Sequence, residues 1–150
     1  MRNQRGFTLA ELIIVIAVIA VILGIALPRL AGMRDEGNTV KAAAELRTEQ
    51  TAVESYYLHH NKTYPNNLQG DLTGAKPQIV ATDLKDPFNG GGANNYSYAR
   101  SPSLVYYVIW SFGPDAVTAV TGIDNTGTVT PANRGDDIFV SNGSPSSGGT

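Results

Sequence analysis

Between Leu9 and Leu27 the chain carries one charge, Glu11, in an otherwise apolar run that follows a short basic leader ending at Gly6. As a helix rising about 1.5 Å per residue, such a run matches the roughly 30 Å of hydrocarbon in a bilayer. A helix apolar all round must be covered by lipid or by other apolar helices. Arg2 and Arg5 precede the run, and Arg29 and Arg34 follow it, so flanking positive charge says little about orientation. A secretory signal would have a shorter apolar core ending in a small-x-small cleavage site. Here the chain continues through Pro28-Arg29-Leu30, and its candidate cut point lies before the run.

Glu11 is the informative residue. A carboxylate in a membrane span is costly and normally has a partner or a water-filled site. No lysine or arginine lies near it on the apolar side. Cleavage after Gly6 would create an amine on Phe7 at the same depth, able to pair with Glu11 of its own or a neighbouring copy. The alternative is that Glu11 sits among lipid headgroups and is solvated.

Gly6-Phe7-Thr8-Leu9-x-Glu11-Leu12 resembles the class III signal of type IV pilins and type II secretion pseudopilins. The resemblance is strong over residues 1 to about 60. It implies that a prepilin peptidase cuts after Gly6 and methylates Phe7, and that Glu11 guides docking into a filament. Pro28 falls where the family has a helix-disturbing proline.

Composition narrows the remaining classes. The formal charge is −2, and becomes −4 once a leader containing Arg2 and Arg5 is removed. Such a chain lacks the clustered basic residues that nucleic-acid binding uses. It has no cysteine, which excludes disulfides, cysteine-ligated metals, c-type haem attachment and thiol nucleophiles. This also departs from many surface type IV pilins, which close their C-terminal region with a disulfide.

Beyond Leu27, Pro28 with Gly24, Gly32 and Gly37 predicts a bend or a meltable segment between Gly24 and Gly37. From Thr39 the spacing of Ala42, Leu46, Val53 and Tyr57 predicts a helix with one apolar face, interrupted by Glu49 and directing Arg47 and Glu54 elsewhere. Lys41 and Glu45 are placed for an exposed i,i+4 pair. The helix should end near His60, before Asn61-Lys62-Thr63-Tyr64-Pro65. Residues 61–95 read as loop with one helical turn near Leu68.

Tyr96–Ala99 and Leu104–Phe112 read as strands. The second is apolar on both faces, which suits a central strand with the helix on one side and a neighbouring subunit on the other. Val117–Val129, with Asp124-Asn125-Thr126-Gly127 between, reads as a weak hairpin, and Ile138–Val140 as an edge strand. The serine- and glycine-rich tail is expected to be mobile. The fold class is therefore α+β: a long N-terminal helix, membrane half plus amphipathic half, packed on a small antiparallel sheet, type IV pilin-like. The divisions are a leader (1–6), a membrane or filament-core helix (7–34), a head (35–140) and a tail (141–150).

A second resemblance runs through Asp86-Pro87-Phe88, Tyr96-Ser97-Tyr98, Ser111-Phe112-Gly113-Pro114-Asp115 and Asp136-Asp137-Ile138, in the order of the major pseudopilin of type II secretion. That family closes a loop around calcium, which implies Asp115, Asp136 and Asp137 as ligands. Calcium takes about 6–8 oxygens. Ala116 stands where a glycine is expected, and the loop is long and threonine-rich. The alternative is that Asp115 caps a turn after Pro114, while Asp136 and Asp137 are solvated edge charges.

An enzyme finds no support. His59 and His60 are adjacent, so on a helix they point about 100° apart and do not chelate as an i,i+4 pair. No nucleophile elbow, P-loop or dinucleotide fingerprint is present, and Gly90-Gly91-Gly92 lacks a strand-to-helix setting. Phe7, Tyr56, Tyr57 and Tyr64 read as packing residues. No cofactor is required, with calcium the one ion implied. The resemblance implies a subunit of a helical homopolymer, the major pseudopilin of type II secretion, or alternatively a major or minor pilin of a surface pilus. Its implied partners are prepilin peptidase, an inner-membrane assembly platform and minor pilins or pseudopilins. It would be stored in the inner membrane with the N-terminus cytoplasmic and the head outside.

Overall fold

The computed structural model describes residues 7–143. It divides into two compact units within one helix, Met1–Glu36 and Gly37–Thr150. That helix, α1, spans Leu9–His59 with Pro28 inside it. No meltable break appears at the proline. Proline removes one donor and crowds the carbonyl four residues back. Here the helix runs on through Pro28 to His59 as one continuous element. At the other end Asn61 and Lys62 take positive φ, 54° and 55°. The Lys62 amide then bonds the Tyr57 carbonyl at 3.1 Å, which satisfies an orphan helix-end acceptor.

In the second unit α1 packs on a three-stranded antiparallel sheet, order β1-β2-β5, formed by Ser97–Arg100, Tyr107–Ser111 and Ile138–Ser141. A short helix α2, Leu68–Gly74, is capped by the Asn67 side chain accepting from Gly70 and buries Leu68 and Leu72. A second antiparallel pair joins β3, Gly122–Ile123, to β4, Val129–Thr130. Its turn is tied by Asp124, whose Oδ1 accepts from the amides of Thr126 and Thr128 at 2.8 and 2.9 Å.

β2 is buried along all five residues. Tyr107 and Ile109 join Ala42, Leu46 and Val53 of α1 in one core. Val108 and Trp110 face the other way, into a second core with Val120, Ile123, Val129 and Phe139. The second face of the central strand is therefore covered by the chain's own β3–β4 hairpin, and not left for a neighbouring subunit. The strand is also shorter than its apolar run. Leu104 has φ 59°, and its amide bonds the Ser101 carbonyl at 2.9 Å, so Ser101–Leu104 turns.

Tyrosine hydroxyls fasten α1 to the head. Tyr96 donates to Glu45 and Tyr107 to Glu54, both at 2.7 Å. Glu54 lies at the margin of the packed face, which corrects its placement away from it. Glu45 also meets Lys41 at 3.8 Å, as the i,i+4 spacing predicts.

Candidate functional site

Two stretches hold the candidate residues. In the first, Thr8 and Glu11 close a reciprocal capping box at the start of α1. The Thr8 amide and hydroxyl both donate to Glu11 Oε2 at 2.8 Å, and the Glu11 amide donates to Thr8 Oγ1 at 3.2 Å. An anion at a helix N-terminus also complements the macrodipole. The sequence reading missed this intrachain engagement, although a threonine three residues before a glutamate is its signal. The cleavage residue Gly6 lies outside the described residues; Phe7 is 89% exposed. α1 is long and apolar enough to cross a membrane, with a mean hydropathy of 3.0 over its best window, which is unburied. Pro28 lies inside this helix.

The second stretch brings Asp115, Asp136 and Asp137 to one end of the sheet. The Asp115 amide donates to Asp136 Oδ2 at 3.0 Å, and Asp115 Oδ1 accepts from the Val117 amide at 2.8 Å, which makes Asp115 a turn cap. Gly113 is required here, because a Cβ would stand 2.3 Å from the Asp136 carbonyl oxygen. Ala116 takes φ 56°, the left-handed conformation for which glycine is the usual residue. Asp137 is not a solvated edge charge: it is 4% exposed. Its Oδ2 accepts from the amides of Ala119 and Val120 at 2.8 and 2.6 Å, stapling the threonine-rich loop over the sheet.

Burial pushes the Asp137 carboxyl above its ordinary range, against those two amides, and the charges of Asp136 and Asp115 push the same way. Asp137 Oδ1 is buried without a hydrogen-bond partner. A hard cation would answer that oxygen. Among the described residues, however, no three acidic or histidine side chains converge as a ligand group. A bound cation would take part of its shell from backbone carbonyls. His59 and His60 each turn a ring nitrogen to a carbonyl of α1, at 2.7 and 3.1 Å, and do not converge.

Residues 1–27 match the model of the prokaryotic N-terminal methylation motif. Over 123 residues the chain is 36% identical to the type II secretion system core protein G of Escherichia coli (strain K12), covering 75% of this chain and 83% of that protein. It is 34% identical to core protein G of Pectobacterium carotovorum subsp. carotovorum over 59% of this chain and 56% of the relative. It is 31% identical to the type IV major pilin protein PilE1 of Neisseria gonorrhoeae over 55% and 50%. The chain thus spans about half the length of several of these relatives. No solved structure matches it significantly. An N-terminal methylation motif opening a long apolar helix, and 36% identity across most of a core protein G, place the chain in the type IV pilin and type II secretion pseudopilin family.

Proposed function

We propose that the chain is the structural subunit of a type IV pilus-like helical filament and serves as a major pseudopilin of type II secretion. The observation that carries this is the apolar surface of the first half of α1, exposed among the described residues and headed by Phe7 and Glu11. In the membrane that surface meets lipid; in a filament it meets other copies, so burial of apolar area is retained on transfer. The interface is heterologous and does not close, which generates a filament. Prepilin peptidase cuts after Gly6 and methylates Phe7. The precursor waits in the inner membrane with its N-terminus cytoplasmic and its head outside, and an assembly platform driven by a separate ATPase extracts it. Minor pseudopilins join it, and the chain itself does no catalysis. The similarity to a type IV major pilin supports a second reading, a surface pilus.

Mass spectrometry of the membrane and of material sheared from cells tests both. A chain beginning at methylated Phe7 and confined to membrane and periplasm supports the secretion reading. The same chain abundant in the sheared fraction supports the surface pilus, and an intact Met1 in both overturns the family mechanism.

We also propose that Asp115, Asp136 and Asp137, with backbone carbonyls of their loop, hold calcium. Its charge would answer the unpaired Asp137 Oδ1 and tie the loop to the sheet. Binding to the native state alone raises its stability by about 2.7 kcal/mol at a hundredfold excess over Kd. The melting temperature should therefore be higher in calcium than in chelator. Equal values at millimolar calcium remove the site.

A further inference from the structure

Glu49 is the one acidic side chain in the packed stripe of α1, and its setting gives it a use outside filament contacts. The residue is 2% exposed, and its Oε2 is buried with no hydrogen-bond partner. The charges around it are mostly of its own sign. From α1 itself comes Glu45, one turn earlier, paired with Lys41 and accepting the Tyr96 hydroxyl. From the Ala75–Asp83 segment comes Asp83; beyond it Lys85 donates its ammonium to Asn95, and Asp86 is committed to Phe88, Ser111 and Phe112. Tyr96 feels Glu45, Asp86 and Glu49 together.

The segment from Ala75 to Asp83 is lightly held. Its Val80 amide reaches the Leu72 carbonyl at 3.5 Å, the outer limit of a hydrogen bond. Ile79, Val80 and Leu84 pack partly buried on the main core. An open groove of about 580 Å³ separates Ile79 and Val80 from Thr48 and Ala52 of α1. A buried carboxylate lacking a donor is tolerated as the neutral acid and costly as the anion.

We propose that Glu49 is a protonation latch: as the neutral acid it lets the Ala75–Asp83 segment lie on α1, and as the anion, facing Asp83 and Glu45, it loosens that segment. Burial and the two neighbouring carboxylates raise its pKa from the ordinary 4.5 to about 7. The folded state therefore holds this proton more tightly than the unfolded chain does. Stability contributed by the acid is complete below 4.5 and is lost as pH rises through about 7. Near neutral pH a small change in acidity then alters how firmly the segment is docked, with no change in the sheet.

The test follows melting of the full chain in detergent micelles from pH 5 to pH 8.5, with amide hydrogen exchange read at both ends. The wild type should melt several degrees lower at the alkaline end, with faster exchange confined to residues 75–84. Glu49→Gln keeps the shape, cannot ionise, and should show a markedly smaller fall in melting temperature over that range. Should this variant not fold, Asp83→Asn removes one repelling charge and should make the alkaline fall smaller. Equal pH slopes in the wild type and Glu49→Gln overturn the latch. So does a carbon-13 titration that places the Glu49 carboxyl near 4.5.

Discussion

The two halves of α1 solve the same problem with different partners. From Leu12 to Leu30 the large apolar side chains stand about half or more exposed, Val15 and Ile19 at 49% and Ile25 at 69%. From Ala42 to Val53 the side chains on the packed face are closed off, with Ala42, Leu46 and Val53 all at 0%. The second half has its cover built into the chain, in the form of the sheet and the tyrosine clasps. Among the described residues the first half carries no such cover, so its apolar surface specifies an external partner of the same polarity, lipid or another copy. One continuous helix thus joins a completed interface to an unfinished one.

The largest effect should come from the start of the unfinished half. Glu11→Ala should leave the chain membrane-inserted while removing nearly all filament, because the carboxylate is the one charge able to meet an amine within the apolar packing. The capping box supplies a rival account, in which Glu11 matters only to the helix end. Glu11→Gln separates the two, since the amide oxygen can still accept from Thr8 but carries no charge. Filaments lost in both variants support the pairing role. Filaments restored by glutamine assign Glu11 to capping, and normal filaments from alanine remove both roles.

A core truncation compares the halves directly. Leu46→Ala should destabilise the head by about 2–5 kcal/mol, the cost of a large-to-small change at a closed site. Leu23→Ala, at 49% exposure, should leave the melting temperature of the head unchanged and act on assembly alone. A head equally sensitive to both changes would mean that the two units share one cooperative core, and the contrast between them would fail.

How much of this could be read from the chain alone follows the same division. The apolar run and the motif around Gly6 and Glu11 are local signals, and so are the Asp124–Gly127 turn and the apolar strand. Each is written within one contiguous stretch of the chain. What covers the second face of β2 was not legible, because β3 and β4 are two residues each and owe their position to Asp137, far along the chain. Spacing showed Asp137 as a carboxylate near Asp115, and as either ligand or solvated charge. Its burial, and its bonds to Ala119 and Val120, exist only in the folded loop. Glu49 was legible as an interruption in an apolar stripe, but its burial and the approach of Asp83, 34 residues on, exist only in the folded head. The meltable segment expected between Gly24 and Gly37 is helical throughout, because local propensity at Pro28 and the glycines is a weak signal beside a helix that is apolar over so long a run.

The smallest effects test whether the clasp on the finished half is ionic or hydrogen-bonded, since Glu45 takes part in both kinds of contact. Its carboxylate lies 3.8 Å from the Lys41 ammonium and accepts from the Tyr96 hydroxyl at 2.7 Å. The lysine is 53% exposed, so its attraction is screened by water and should contribute only about 0.2–0.5 kcal/mol. Tyr96 is 3% exposed, and losing its acceptor leaves a buried hydroxyl unsatisfied, at a cost of about 1–3 kcal/mol. At pH 5, below the titration of Glu49, Glu45→Ala should therefore lower the melting temperature by several degrees. Lys41→Ala should lower it by only about 1–2 °C on the usual scaling for a domain of this size. Added salt should erase the Lys41 effect and leave the Glu45 effect in place, because screening acts on exposed charge and not on a buried hydroxyl. Equal losses from the two substitutions would make the clasp ionic, and the head would then be held to α1 by surface charge and not by its tyrosines.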